Sequence, residues 1–451
     1  MDPADLFCEL YDQWITLADV NDIDDWRLGN EDAIDALADQ IRSTGEVPDD
    51  LDHPRDPEHQ FVILAGIDLA LYDCHPRSGA GSYGALAPLA ARSAMTGSYS
   101  SKADPGGLVP RWTRTAHPGS RTERLIDAFV GVIRVGPEEW RRLRLRFVPS
   151  SHDLPRHAGT SAMPVLVAFA PLLESLDDVR FDSGVGLPGR PDARWYRIGP
   201  DTARVEAKLS TLLDSFDSSG AQIALLPEGA ANPELLDSWI RLLRARPRPP
   251  ASRLTWILIG SGPFPSGYEL PLHSALLLHR DSGDVLTTHN KFAPFNFADR
   301  QTEPWGLADL LGDGSLHEGI RLGSEVEVLE SQAGRIALFI CEDVTRHGDP
   351  LHDAIASAGP SLILVPVFGC SIRPYYWEHQ AARRHSVLLG ATVAIVNSAV
   401  IADAQARKGL PVTDGNICLL TIPPVNPSED RSVADHFGSM PTTGECVTLP
   451  T

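Results

Sequence analysis

The chain has 451 residues, of which 43% are hydrophobic and 22% charged, so it can bury a substantial core and is not a disordered polymer. Its 60 acidic and 39 basic side chains give a formal net charge of -21. That charge repels a phosphate backbone and argues against nucleic acid as a partner.

The six cysteines and the amino-terminal residues indicate a cellular compartment. The cysteines lie far apart and form no CxxC pair, which argues against a disulfide framework or a thiolate metal site and fits a reducing environment. Residues 1–5 lack the cationic segment of a signal peptide, and the apolar run 61–71 is too short to span a bilayer and contains Asp68. We therefore predict a cytoplasmic protein without a membrane partner.

Residues 1–160 form the first of two unlike regions. Residues 1–60 carry 18 acidic and 3 basic side chains, whereas residues 101–160 carry 11 basic and 6 acidic ones, so the two segments can attract each other. We predict a mostly α-helical amino-terminal domain of unknown role, with a loop or hinge over 78–120 in which 86–95 can form a short helix. The helical spacing of apolar residues is seen at Leu6, Leu10, Trp14 and Leu17, at Ile34, Leu37 and Ile41, and at Leu125, Phe129 and Ile133.

The basic stretch 137–146 begins like a helix, with Pro137 in its first turn and two acids at its positive end. Its arginines could bind a nucleic acid or a protein partner. Because charge runs are usually solvated faces, we favour pairing with the acidic segment 1–60. A protein partner for the amino-terminal region stays open, and we place the domain boundary near 155–162, which gives domains 1–160 and 161–451.

From residue 164 onward, short apolar runs alternate with helical stretches. The run 165–169 predicts a buried strand, and the helical spacing from Val205 to Phe216 predicts a helix that Gly220 ends. These features predict an α/β domain whose sheet is mostly buried. Further strand-like runs lie at 223–226, 255–259, 274–279, 336–340, 362–367 and 392–396, and further helical stretches at 233–246 and 377–389.

Three of these runs lead to a residue suited to covalent chemistry. Glu228 follows the run 223–226, Lys291 follows a hairpin at 276–286, and Cys341 ends the run 336–340. Each alone has a common structural explanation, as a helix cap, a snorkelling surface lysine or an inert core cysteine. Together they supply the base, the cation and the thiol that attack on a carbonyl or nitrile carbon requires.

The motifs around these residues resemble the Glu-Lys-Cys signature of the nitrilase, or carbon-nitrogen hydrolase, superfamily. The resemblance covers about residues 164–423 and implies a four-layer α-β-β-α sandwich, here preceded by the helical region. One departure is that the segment after Asn397 lacks the family's glycine-marked hairpin. In chain order the three motifs are Leu226-Pro227-Glu228, His289-Asn290-Lys291 and Ile340-Cys341-Glu342-Asp343.

The resemblance also implies a mechanism through a cysteine thioester. Glu228 would take the proton of Cys341 and later activate water, while Lys291 and the backbone N–H of Glu342 would hold the oxyanion. Glu303, twelve residues past Lys291, is the candidate for a second glutamate found in many members, and Phe368 is a candidate substrate contact. This chemistry needs no metal, so neither a metal nor another cofactor is expected.

The predicted function is therefore hydrolysis of a non-peptide C–N bond in a small-molecule amide or nitrile. The order Cys341-Glu342-Asp343 is closer to the glutaminase domains of glutamine-dependent NAD synthetases than to nitrile hydrolysers, which favours an amide. A homo-oligomer is expected by analogy with the family. The alternative is a nitrilase-like scaffold or sensor in a multi-protein system, with weak or no catalysis.

Overall fold

The computed structural model describes the chain apart from a set of short segments. These segments are residues 20, 49–50, 52–55, 73, 75–82, 102–105, 112–127, 150, 155–164, 313, 332–333, 347–349, 413–414, 424–432, 440, 442–444 and 451.

Among the described residues, the first region consists mainly of helices, whereas helices and strands alternate in the second region. The helices are α1 (Pro3–Leu17), α2 (Ile23–Gly29), α3 (Glu31–Thr44), α4 (Pro57–Tyr72), α5 (Ala87–Thr96), α6 (Pro137–Arg142), α7 (Thr202–Ser218), α8 (Pro233–Ala245), α9 (Ala308–Leu311), α10 (Pro350–Ala358), α11 (Trp377–Leu389) and α12 (Val400–Arg407). The strands are β1 (Gly107–Pro110), β2 (Val132–Val135), β3 (Leu143–Phe147), β4 (Leu166–Phe169), β5 (Val179–Leu187), β6 (Arg190–Pro200), β7 (Ile223–Leu225), β8 (Trp256–Phe264), β9 (Leu272–His279), β10 (Val285–Asn290), β11 (His317–Glu318), β12 (Val326–Ser331), β13 (Gly334–Leu338), β14 (Leu362–Val367), β15 (Thr392–Asn397), β16 (Asn416–Ile422), β17 (Ala434–Ser439) and β18 (Val447–Pro450).

The first region builds its own core from helices α1 to α5, as the apolar spacing predicts. Asp2 caps α1 by accepting from the N–H groups of Ala4 and Asp5. The buried faces of α1 and α4 meet, together with Phe129, in an aromatic cluster whose neighbouring rings lie 5.2–6.1 Å apart, centroid to centroid. That cluster consists of Phe7, Tyr11, Trp14, Phe61 and Phe129.

The prediction of a helix through Leu125, Phe129 and Ile133 is wrong. Ile133 lies in strand β2, which pairs antiparallel with β1, and Leu125 falls outside the described residues. The buried carboxylate of Asp68 accepts from the backbone N–H groups of Val130, Gly131 and Val132, at 2.8–2.9 Å. These donors would otherwise serve a helix, so a buried side chain fixes the extended entry into β2.

The second region is a four-layer α-β-β-α sandwich, as expected. One sheet has six strands in the order β10-β9-β8-β7-β4-β18, and the other has seven in the order β17-β16-β15-β14-β13-β12-β3. Alternate residues along β7 face opposite ways: Leu225 packs between the sheets, whereas Ala224 packs under helices α7 and α8. Helices α10 and α11 join the core on the side of the seven-stranded sheet.

The basic stretch 137–146 forms part of this sandwich. It was expected to pair with the acidic segment 1–60, and that expectation is wrong. Its helix α6 ends at Arg142, and the following β3 adds a parallel edge strand to β12. Arg144 lies 2.8 Å from Glu325 and Arg146 lies 3.2 Å from Glu327, so these arginines pair with the neighbouring strand. Sheet pairing therefore overrides the helical appearance of this sequence. The boundary near 155–162 lies outside the described residues.

One further feature departs from the pattern that the sequence indicates. A hairpin of β5 and β6 is inserted between β4 and α7 and forms a three-stranded sheet with β11. After Asn397 the chain forms helix α12, in agreement with the absence of a glycine-marked hairpin from this part of the sequence. None of the described helices combines the length and apolar character needed to cross a membrane.

Candidate active site

The sandwich brings Glu228, Lys291 and Cys341 together where their strands end. The ammonium of Lys291 lies 2.8 Å from Glu228 Oε1. The thiol of Cys341 lies within the range at which the carboxylate of Glu228, the ammonium of Lys291 and the backbone N–H of Phe368 act on it. The three side chains are almost fully buried, with exposed fractions of the residues of 3% for Glu228, 1% for Lys291 and 4% for Cys341. Residues distant in sequence thus form one enclosed cluster.

The cysteine occupies a strained turn. Its backbone φ is +49°, in the left-handed region that non-glycine residues rarely adopt. The turn follows the end of β13 and opens a short 3-10 helix over Cys341–Thr345. Such strain persists only where neighbouring contacts hold it, and it is frequent at functional sites.

Asp343 provides those contacts. Its Oδ1 accepts from the backbone N–H groups of Phe292 at 3.1 Å and Ala293 at 2.7 Å, which directly follow Lys291. Its Oδ2 accepts from the N–H of Ile340 at 3.0 Å and lies 3.0 Å from His289 Nε2. One buried carboxylate therefore ties the cysteine turn to the segment that carries the lysine.

A second glutamate contacts the lysine, and it is Glu318. Lys291 Nζ lies 2.9 Å from Glu318 Oε2, and Glu318 is 8% exposed. Glu303, which the sequence indicates for this position, lies exposed in the loop before α9 and is not among the groups paired with Lys291. Glu318 comes from the two-residue strand β11, which the sequence pattern does not reveal.

Electrostatics keep this lysine charged. Burial alone lowers the pKa of Lys291, but the charges of Glu228 and Glu318 outweigh it and raise that pKa well above its usual value. Burial, with the charge of Glu228, raises the pKa of Glu318 to about 7, although Lys291 opposes the shift. The cluster thus holds a fixed positive charge between two carboxyl groups.

The thiol, in contrast, is held in its neutral form. Burial and the charge of Glu228 raise the pKa of Cys341 well above its usual value, although Lys291 lowers it. A neutral thiol needs a base within hydrogen-bond reach before it can act as a nucleophile. The carboxylate of Glu228, whose charge acts on this thiol, is the candidate for that base.

His273 completes the polar lining and was not indicated by the sequence. Its Nε2 lies 3.4 Å from Glu228 Oε1 and 3.0 Å from Ser261 Oγ. Burial and the charge of Lys291 lower the pKa of His273 well below its usual value, so the ring is neutral. Glu228, His273 and Glu318 have donor atoms within 4.8 Å of one another, a spacing that could hold a cation. The ammonium of Lys291 already supplies a positive charge to both carboxylates.

The two remaining predicted residues flank the cysteine. The backbone N–H of Phe368 donates to Glu228 Oε2 at 3.0 Å, and its buried ring lies beside the cluster. The side chain of Glu342 pairs with Arg346 at 2.8 Å, and burial raises the pKa of this glutamate. The predicted role of Glu342 concerns its backbone N–H, which directly follows the nucleophile.

Asn397 braces the loop that follows Phe368. Its side-chain amide donates to the carbonyl oxygens of Gly369 and Cys370, at 3.2 and 2.7 Å, and its Oδ1 accepts from the N–H of Gly369 at 3.0 Å. These bonds fix the wall of the cluster from β15.

Comparison with known proteins finds likeness only in structure. No family model and no curated protein matches the chain. Saccharomyces cerevisiae Nit3, a member of branch 10 of the nitrilase superfamily, is 12% identical with a TM-score of 0.37, over 65% of this chain and 92% of that one. A carbon-nitrogen hydrolase from Helicobacter pylori G27 is 14% identical with a TM-score of 0.34, over 58% and 82%.

A CN-hydrolase superfamily protein from Xanthomonas campestris is 17% identical with a TM-score of 0.34, over 63% of this chain and 89% of that one. Likeness at this level does not establish an activity, which has to be inferred from the site. The second region of this chain is an α-β-β-α sandwich in which a buried glutamate, lysine and cysteine meet.

Proposed function

We propose that the protein hydrolyses a non-peptide C–N bond of a small-molecule amide through a thioester on Cys341, with release of ammonia or an amine. The observation that carries this proposal is that one buried carboxylate, Glu228, lies 2.8 Å from the ammonium of Lys291 and close enough to Cys341 for its charge to act on the thiol. A thiol, a base and a cation in one enclosed cluster are the groups that acyl transfer from an amide requires.

In the first half of the reaction, Glu228 takes the proton of Cys341 while the sulfur attacks the carbonyl carbon. The carbonyl oxygen becomes an oxyanion, which Lys291 and the N–H after Cys341 stabilise. When the C–N bond breaks, the protonated Glu228 gives its proton to the leaving nitrogen. The products of this half are the thioester and free ammonia or amine. A positioned acid–base group contributes about 10²- to 10⁴-fold to such a rate.

In the second half, Glu228 removes a proton from water as the water attacks the thioester carbon. The C–S bond then breaks, the carboxylic acid leaves, and the protonated Glu228 returns its proton to the sulfur, which restores the thiol of Cys341. Glu318 does not exchange protons with substrate in this scheme. It accepts from Lys291 and from the backbone N–H of Phe295, at 2.8 Å, and so holds the lysine in place.

The test is intact-mass spectrometry of acid-quenched protein after incubation with a library of amides and nitriles, with ammonia release measured in parallel. Wild type should gain the mass of one acyl group, whereas Cys341→Ala should gain none. Cys446→Ala is the matched control, because Cys446 is a half-buried cysteine that contacts Ser215 rather than the cluster. That variant should react like wild type.

Two results would overturn the proposal. One is an acyl adduct that persists in Cys341→Ala, since the nucleophile would then be another group. The other is wild-type protein that neither gains an adduct nor releases ammonia with any member of the library. The second result would leave a scaffold or sensor as the better description.

A further inference from the structure

The hairpin of β5 and β6 covers the cluster from outside the sandwich. Its β6 strand pairs with β11, so that Tyr196 lies opposite Glu318. The hydroxyl of Tyr196 donates to the carbonyl of Phe295 at 3.0 Å, and Phe295 in turn donates to Glu318. The base of the hairpin is therefore fixed to the segments that carry Lys291 and Glu318.

The inner face of the hairpin is apolar where it packs against Phe368 and beside Gly229, which follows Glu228. Phe181 and Ile198 are cross-strand partners, and the ring of Phe181 contacts that of Phe368 edge-on, with centroids 6.1 Å apart. Beside Glu228, a Cβ built on Gly229 would lie 3.1 Å from Ile198 Cγ2, 3.4 Å from Leu173 Cδ1 and 3.6 Å from Phe368 Cδ2. These four side chains, Leu173, Phe181, Ile198 and Phe368, form what we call the apolar wall.

The apolar wall offers no partner to a charge or to a polar group. The charged side chains of the cluster are already paired, because Lys291 contacts both Glu228 and Glu318. Burying an unpaired charge against hydrocarbon is strongly unfavourable. The cluster is also enclosed, since Cys341 is 4% exposed and Phe368 is 5% exposed.

We infer that the β5–β6 hairpin sets the substrate class of this site: the apolar wall selects primary amides whose acyl group is a short, uncharged hydrocarbon chain. This inference rests on the proposed function. Phe181 and Ile198 are then specificity-determining residues. They limit the length of the acyl chain, while Glu228, Lys291 and Cys341 perform the chemistry.

The experiment compares kcat/KM for ammonia release from acetamide, propionamide, butyramide, hexanamide and succinamate, which all lose the same leaving group. Wild type should prefer the shorter neutral amides and should reject succinamate. Phe181→Ala and Ile198→Ala should each raise the ratio of hexanamide to propionamide by about 10-fold or more, because one methylene in an apolar pocket is worth about 10- to 200-fold. Val185→Ala, at an exposed position on the same hairpin (68% exposed), should keep the wild-type ratio.

The outcomes separate the inference from the proposed function. Equal ratios in wild type, Phe181→Ala and Ile198→Ala would overturn the inference and leave the hydrolase intact, as would a preference of wild type for succinamate. Absence of ammonia release from every amide in wild type would overturn both. Should either alanine variant lose its cooperative melting transition, Ile198→Val decides: a ratio shifted toward hexanamide supports the inference and an unshifted ratio contradicts it.

Discussion

Glu378, a single residue outside the cluster, shows how burial makes the stability of this protein depend on pH. It lies 2% exposed in the first turn of α11, and burial raises its pKa from 4.5 to about 7. A carboxyl group with a raised pKa in the folded state retains its proton while the unfolded chain releases it. The free energy of unfolding therefore falls as pH rises from about 4.5 through about 7.

We predict that Glu378→Gln, which keeps the shape without the titration, reduces this fall. The difference should reach about 3 kcal/mol at most, from about 1.4 kcal/mol per pKa unit. Urea denaturation at pH 5 and at pH 8 measures it. Glu234→Gln, at an exposed position in the first turn of α8, should retain the wild-type dependence on pH. If the free energy of unfolding fell equally between pH 5 and pH 8 in Glu378→Gln and in wild type, the carboxyl group of Glu378 would be ionised in the folded protein, contrary to the prediction.

The residues of the candidate site were partly accessible from sequence. Glu228 and Cys341 are visible because each directly follows an apolar run that forms a buried strand. Glu318 is not visible, because it reaches Lys291 only through the pairing of a two-residue strand with an inserted hairpin. The position twelve residues after Lys291 pointed to Glu303 instead. Distance along the chain carries no information about the contact between Lys291 and Glu318, which depends on the fold.

At the scale of elements, Asp343 is the junction between the cysteine turn and the lysine segment. We predict that Asp343→Asn lowers kcat by about 10²-fold with a smaller effect on KM, since a displacement of about 1 Å at the reacting groups has that cost. The carboxylate accepts hydrogen bonds at both of its oxygens, from the segments at Phe292, Ala293, Ile340 and His289. An asparagine amide has a single oxygen and can accept at only one of these two positions. Steady-state kinetics on an amide substrate provide the measurement.

The matched control for Asp343→Asn is Asp353→Asn on α10, whose side chain is 52% exposed. It should leave both kinetic constants unchanged. If Asp343→Asn raised KM and left kcat unchanged, Asp343 would act on substrate binding. That result would contradict its role in positioning Cys341 and Lys291.

Sequence patterns located most elements of the sandwich for a physical reason. Strands buried on both faces are continuous apolar runs, so β7, β13, β14 and β15 are recognisable without alignment. The hairpin of β5 and β6 has no such signal, because its outer part is polar and exposed on both strands. Its order comes from packing on Phe368 and pairing with β11, which no local pattern contains.

On the scale of the whole molecule, the guanidinium of one buried arginine, Arg335, joins the first region to the sandwich. Arg335 of β13 is 0% exposed and lies 2.8 Å from Glu330 Oε2. Its guanidinium also donates to the carbonyl of Pro110 in β1, at 2.7 Å, and to the carbonyl of Ala358 at the end of α10. One side chain thus joins the two regions and a helix of the outer layer.

We predict that Arg335→Met destabilises the protein by about 3–5 kcal/mol, because it leaves the buried carboxylate of Glu330 without its guanidinium partner. The double variant Glu330→Leu/Arg335→Met removes the charge as well, so it should recover a large part of that loss even though the bond to Pro110 stays broken. Chemical denaturation followed by far-UV circular dichroism measures both. Equal destabilisation of the single and double variants would mean that the contact with Pro110, rather than compensation of the buried charge, holds the two regions together.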